Sequence, residues 1–94
     1  MTPTNVLSRL GRVSCVINPR SGSTPEGAAD LLREKLSGLP DAASIHTVGE
    51  DDLALLMEAA LAEEPDTLIV WGGDGTIACA LSHAGLLGPA VLPL

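Results

Sequence analysis

The chain has 94 residues and a formal net charge of −7, with 46% hydrophobic and 18% charged residues. These proportions exclude a disordered acidic tail, because enough apolar side chain is present to form a core. The length allows one domain at most. All five cations lie in the first 35 residues, and nine acids but no Lys or Arg follow from residue 36 onward. Since no basic stripe is present to neutralise a phosphate backbone, we expect no nucleic-acid partner.

Strand and helix patterns alternate along the chain from residue 12 to residue 94, after a leader at residues 1–11. Four short runs rich in aliphatic and β-branched residues predict strands. These runs are residues 12–17, 44–48, 67–71 and 90–94. Three segments between them predict helices, from apolar residues at helical spacing and from start and stop signals. The helices are predicted to begin near Thr24, Glu50 and Thr76 and to end before Gly38, Pro65 and Gly85.

This alternation predicts a three-layer α/β domain in the order β-α-β-α-β-α-β around a parallel sheet, because short links between strands and helices give right-handed crossovers. The run at residues 67–71 is continuously apolar, as expected for a strand covered on both faces. The pattern leaves the strand order open. An order of 2-1-3-4 would place the loops after the first and third strands side by side.

The loop after the third strand has the composition of a phosphate-binding loop. Ligands of open parallel sheets bind beyond the carboxyl ends of the strands, where Gly72-Gly73-Asp74-Gly75-Thr76 lies. Glycines leave backbone N–H groups bare, and the start of the next helix adds positive potential. The Thr76 hydroxyl can donate to a phosphate or cap the helix. Asp74 would repel an anion there unless it holds a cation, for which Mg²⁺ bridging to phosphate is the simplest choice.

A glycine-rich turn between strand and helix is needed by any α/β fold, so this loop alone does not establish a phosphate site. The loop after the first strand strengthens the hypothesis. Within Asn18-Pro19-Arg20-Ser21-Gly22, it supplies an amide, a cation and a hydroxyl at the same sheet edge. The patterns GxxxxGK[ST] and GxGxxG are both absent, so this would be a third type of phosphate loop.

Together, Ile17–Gly22 and Val70–Ile77 resemble the diacylglycerol kinase catalytic domain family, which includes the sphingosine kinases and bacterial lipid kinases. The spacing of the two motifs and the closing Val91–Leu94 match as well, so the resemblance extends from Val13 to the last residue. The GGDGT motif is also carried by NAD kinases, and phosphofructokinases have a related loop. The Asn-Pro-x-Ser-Gly loop favours the lipid kinases.

The resemblance implies an ATP-dependent lipid kinase, of which this chain is the nucleotide-binding part. It implies that Asp74 is the catalytic and metal-binding residue, which organises Mg²⁺ and the phosphates. Many bacterial members carry Asn-Glu where this chain has Ala78 and Cys79, so a polar contact made by that Asn is lost here. The implied nucleotide-binding residues are Asn18, Pro19, Arg20, Ser21, Gly22, Thr47, Gly72, Gly73, Asp74, Gly75, Thr76 and Ile77.

In the family, a β-rich domain that carries much of the lipid site and the catalytic base follows the strand matched by residues 90–94. We therefore expect a lobe cut at its fourth strand and of marginal stability, with a melting temperature not above ~65 °C. The resemblance implies a lipid substrate at a membrane surface. The sequence shows no secretory signal and no transmembrane segment, so we expect a cytoplasmic protein that meets its lipid at the membrane periphery. A homodimer is compatible with the sequence. The alternatives are an NAD kinase and a non-catalytic nucleotide-binding module or inactive fragment.

Five other residues are interpreted as structural. His46 and His83 have no positioned partner apparent in the sequence, and Trp71 is predicted to fill the core at the end of its strand. Cys15 and Cys79 lie 64 positions apart without CxxC spacing, which predicts two buried thiols in a reducing cytoplasm rather than a disulfide or a metal site.

Overall fold

The computed structural model describes residues 10–20, 24–38, 43–48, 53–85 and 88–94. Within these residues, strands and helices alternate as β1 (Val13–Ile17), α1 (Ala28–Lys35), β2 (Ser44–Thr47), α2 (Leu53–Leu61), β3 (Thr67–Trp71), α3 (Asp74–Ala84) and β4 (Ala90–Pro93). The strands form one sheet in the order β2-β1-β3-β4, and all three pairings are parallel. The predicted α/β fold is confirmed, with the order that places the loops after β1 and β3 side by side.

Helices cover both faces of the sheet, because successive side chains of a strand point to opposite sides. On one face, Cys15 of β1 packs in a cluster with Leu32 of α1. On the other face, Val16 of β1 packs in a second cluster with Met57 of α2 and Ala80 of α3. The central strands β1 and β3 are therefore buried from both sides, which explains their unbroken apolar sequences.

Helix α1 begins later than predicted. Thr24 does not cap it; the N-cap is Gly27, whose φ of 78° and ψ of 16° place it in the left-handed region that glycine adopts readily. The backbone therefore turns between Pro25 and the helix. The helix itself is placed by burial of Ala28 and Leu32 against the sheet. Thr24 Oγ1 is buried and has no hydrogen-bond partner among the described residues.

Helix α3 begins two residues earlier than predicted, at Asp74 rather than Thr76. The Gly73 carbonyl accepts hydrogen bonds from the backbone N–H groups of Thr76 and Ile77, at 3.0 and 3.1 Å, and so closes the first turn. The glycine-rich loop is accordingly reduced to two residues, and Asp74 and Gly75 belong to the helix. The predicted stop at Gly85 is confirmed, with a φ of 72° that favours glycine.

Some expectations fall outside the described residues. These are residues 1–9 of the predicted leader and the acidic start of the second helix at residues 50–52. In the part of the chain that the structure describes, no helix has the length and apolar character needed to cross a membrane. Cys15 and Cys79 form no disulfide bond with each other, and Cys15 is buried as predicted, whereas Cys79 is only half-buried.

Candidate functional site

The three strands that carry the predicted site residues end at the same edge of the sheet. Ile17, the last residue of β1, is in register with Thr47 of β2 and with Trp71 of β3. One residue later, the backbone N–H of Asn18 donates to the Trp71 carbonyl at 2.8 Å. Because all strands are parallel, the loops that leave β1 and β3 start beside each other.

A cleft of about 470 Å³ opens between these loops and the start of α2. Five of the predicted residues line it, together with one residue that sequence reasoning missed. The lining residues are Asn18, Arg20, Leu53, Gly73, Gly75 and Thr76. Leu53 is the first described residue of α2. Its position could have indicated a place in the cleft, because the segment that follows β2 leaves the sheet at the same edge. The structure thus brings the two predicted motifs together.

A hydrogen bond joins the two motifs across the cleft. Asn18 Nδ2 donates to Thr76 Oγ1 at 3.0 Å, and Asn18 Oδ1 accepts from the backbone N–H of Arg20 at 3.1 Å. Thr76 is buried, with 4% of its surface exposed. A Cβ atom at Gly72 would lie 2.7 Å from Thr76 Oγ1. Glycine is therefore required at position 72 so that the Thr76 side chain can lie against the backbone.

The N-terminus of α3 is open toward the cleft. Its N-cap, Gly73, makes no side-chain capping hydrogen bond, and the first N–H groups of any α-helix lack partners within the helix. The N–H groups of Asp74 and Gly75 are therefore outside the helical ladder. They carry the positive end of the helix dipole, and the Arg20 side chain adds a full positive charge to the cleft wall. This arrangement suits an anion such as phosphate.

Asp74 is exposed and lies between two glycines that line the cleft. In the described ranges, no cluster of three or more His, Cys, Asp or Glu side chains could hold a metal ion. Proteins usually bind Mg²⁺ through one or two carboxylates, with substrate phosphates and water completing the shell. The Asp74 carboxylate, which belongs to no such cluster among the described residues, therefore fits Mg²⁺ held jointly with a phosphate ligand.

Three other predicted residues are described by the structure but do not line the cleft. Pro19 and Thr47 are exposed at the same sheet edge. The Ile77 side chain packs against the core cluster of α2 and α3, and its backbone N–H is bonded to Gly73. Ser21 and Gly22 lie outside the described residues. A nucleotide-binding role stays a prediction for these five residues, as it does for those that line the cleft.

The residues interpreted as structural occupy other environments. Trp71 packs against the core cluster on the α1 face. His83 Nδ1 lies 2.9 Å from the Cys79 carbonyl one turn earlier in α3. His46 Nε2 lies 2.8 Å from Glu63 Oε1, to which Ser14 Oγ also donates at 3.0 Å. Burial alone would raise the pKa of Glu63, but the hydrogen bonds from His46, Ser44 and Ser14 outweigh it and lower that pKa below its usual value of 4.5.

The comparison with known families agrees with this geometry. The family model described as the diacylglycerol kinase catalytic domain matches residues 12–92. The matched stretch runs from β1 into β4 and includes both cleft loops. No curated protein matches the chain. The match places the chain in a kinase-type enzyme family. It spans far more than half of the sequence, and the chain therefore belongs to the diacylglycerol kinase catalytic domain family.

Proposed function

We propose that this chain is the nucleotide-binding part of an ATP-dependent lipid kinase, which transfers the γ-phosphoryl group of ATP to a lipid hydroxyl such as that of diacylglycerol or a sphingoid base. The observation that carries the proposal is the shared cleft, in which the loop after β1 and the uncapped start of α3 face each other. Family membership supports a kinase reaction. The cleft supports the location of the phosphates.

Donor groups dominate the cleft wall at the point where phosphates would bind. The guanidinium of Arg20 and the backbone N–H groups at the start of α3 are all donors, and phosphate oxygens are acceptors. Bare glycines at positions 73 and 75 let a phosphate approach the backbone closely. These groups offset the repulsion that an anionic nucleotide meets from a chain with a net charge of −7.

We assign Asp74 to Mg²⁺. The ion would be held by the Asp74 carboxylate and by phosphate oxygens, and it would neutralise charge that develops on the phosphates during transfer. The protein groups at the cleft then act by positioning the nucleotide and by stabilising negative charge, since phosphoryl transfer needs little covalent participation of the protein. Thr47 is proposed to close the nucleotide site from the end of β2.

The test is phosphoryl transfer from ATP to diacylglycerol or sphingosine by the full-length protein, with and without the Asp74→Asn substitution. We expect a loss of at least about 10-fold in activity, because a carboxylate that holds the metal is replaced by a neutral group of the same shape. The loss should be partly reversed by higher Mg²⁺ concentration. Asp30→Asn is the matched control, since Asp30 is an exposed residue of α1 paired only with the exposed Arg33 among described residues. It should retain wild-type activity.

Equal activity of wild type and Asp74→Asn would contradict the role given to Asp74. Transfer to NAD but not to either lipid would identify an NAD kinase and refute the proposed lipid acceptor. Nucleotide binding without transfer to any acceptor would identify a non-catalytic module.

A further inference from the structure

The Asn18 side chain is held at both ends of its amide. Its oxygen accepts a hydrogen bond from the Arg20 backbone N–H at 3.1 Å, and its nitrogen donates to Thr76 Oγ1 at 3.0 Å. The backbone of Asn18 is fixed as well, through its N–H bond to the Trp71 carbonyl at 2.8 Å. The side chain therefore has one orientation, set by the ends of β1 and β3.

The direction of these hydrogen bonds follows from the chemistry of the groups. A backbone N–H only donates, so the Asn18 atom facing Arg20 must be the amide oxygen. The atom facing Thr76 is then the NH₂ group, which also only donates. Thr76 Oγ1 is consequently the acceptor in that bond, and its own hydrogen is left for a third group. Within the described residues, Thr76 Oγ1 makes no other hydrogen bond.

Since no described residue supplies this third group, a ligand bound in the cleft can supply it. Thr76 lines the cleft and is 4% exposed, and Gly72 lies against its side chain. The Thr76 hydroxyl is thus available as a third donor beside Arg20 and the helix N-terminus, which line the same cleft. An ionised phosphoryl oxygen accepts such bonds without competing to donate.

We propose that Asn18 is a positioning residue, which fixes the Thr76 hydroxyl as a hydrogen-bond donor to a phosphoryl oxygen of the bound nucleotide. This inference rests on the proposed function. It adds to that function the residue that makes the Thr76 hydroxyl a hydrogen-bond donor toward the nucleotide. If the Asn18 hydrogen bonds only held the two loops together, loss of this side chain would reduce the free energy of unfolding and the fraction of folded protein. It would not change the affinity of the folded protein for nucleotide.

A double-mutant cycle separates these roles, with Asn18→Ala, Thr76→Val and the double variant in the full-length protein. We expect Thr76→Val to raise the KM for ATP about 10-fold and Asn18→Ala about 5-fold, the sizes of a charged and of an ordinary hydrogen bond. The double variant should match Thr76→Val alone, because Asn18 acts through the hydroxyl that is already absent. Thr76→Ser keeps the hydroxyl and should remain within about 3-fold of wild type.

The pattern of results decides between the proposals. Additive effects on KM, or a fall in kcat with KM unchanged in Asn18→Ala, would overturn the positioning role while lipid phosphorylation stands. If wild type transfers no phosphate to a lipid, the same cycle is measured on the Kd for Mg-ATP by calorimetry. Coupling in that Kd would support the positioning role although the proposed function fails. Additivity there, or no nucleotide binding by wild type, would overturn both.

Discussion

At Gly72 the site depends on the absence of a single methyl group. The residue is buried at the end of β3, and the Thr76 side chain occupies the space where a Cβ would lie. Thr76 cannot move away freely, because its hydroxyl is bonded to Asn18. Gly75 differs, since nothing lies within 4 Å of the position of its Cβ. The two glycines of one motif therefore have different physical roles.

We predict that Gly72→Ala destabilises the protein by about 1–3 kcal/mol, the usual cost of inserting a methyl group into a packed region. Gly75→Ala is the matched control. It lies within α3 in open space, and we expect it to be neutral or to stabilise by up to about 1 kcal/mol, because alanine has the higher helix propensity. Urea denaturation followed by circular dichroism measures both. Equal free energies of unfolding for the two variants would refute the packing role of Gly72.

At the scale of elements, Glu63 ties the end of α2 to the outer part of the sheet. It follows the helix by two residues, and its carboxylate accepts hydrogen bonds from Ser14 of β1 and from Ser44 and His46 of β2. The edge strand β2 is thus held through side chains as well as through its backbone pairing with β1. The ionised carboxylate is needed, because a protonated one accepts weaker hydrogen bonds.

This contact predicts a pH dependence of stability. The pKa of Glu63 is lowered in the folded protein below 4.5 by the hydrogen bonds that outweigh its burial. Its contribution is therefore complete above the unfolded-state pKa near 4.5 and is lost as the pH falls through the folded-state pKa. Glu63→Gln should lower the melting temperature at about pH 6 by a few degrees. That difference from wild type should shrink toward about pH 3.

Glu64→Gln is the control for Glu63, because it makes the same change of charge at the adjacent, exposed residue. We expect its melting curve to follow that of wild type across the same pH range. A gap between wild type and Glu63→Gln that stays constant from about pH 6 to about pH 3 would show that the ionised carboxylate is not what stabilises the contact.

At the scale of the whole molecule, the sheet is closed to solvent at its centre and open at its β4 edge. Cys15 lies on β1 between Ile45 of β2 and Ile69 of β3 and has no exposed surface. On β4, Leu92 remains 43% exposed, and Leu94 just after it 51%. An apolar cavity of about 330 Å³ next to this edge is lined in part by Trp71. Stability of the fold is therefore concentrated in β1 and β3.

We predict that chemical modification of the Cys15 thiol requires global unfolding of the protein. Burial raises the pKa of its thiol to about 11, so at pH 8 only about one thiol in a thousand is the reactive thiolate. The half-buried Cys79 should react with iodoacetamide at least about 100-fold faster in the native protein. Cys15 should become modified only when denaturant unfolds the sheet. A Cys79→Ser variant isolates the Cys15 reaction, and labelling of that variant at native rates typical of an exposed thiol would contradict the prediction.

Much of the fold could be predicted because its signals are local. The continuous apolar run at residues 67–71 predicts a buried strand, which β3 is. Gly85 predicts the end of α3, because glycine readily adopts the positive φ found there. The start of α1 was predicted wrongly at Thr24, since a local capping signal competed with the burial of Ala28 and Leu32, and burial prevailed. For α3 the sequence pattern predicts a start two residues late, because glycine is more common in loops than in helices. In the structure the Gly73 carbonyl accepts hydrogen bonds from Thr76 and Ile77 and closes the first helical turn.

The sequence by itself determined the chemistry of this protein: an α/β alternation, two loops of phosphate-binding composition, and their resemblance to one kinase family. Those properties depend on residue types at short spacing, which the chain displays directly. Only the tertiary structure decided that Asn18 bonds to Thr76, that Gly72 makes room for that side chain, and that Leu53 lines the cleft. These contacts join residues separated by as many as 58 positions. The Asn18 contact exists because the parallel sheet brings the ends of β1 and β3 together. The Gly72 contact exists because α3 starts at Asp74 and so places Thr76 against the end of β3. No local sequence pattern states either placement.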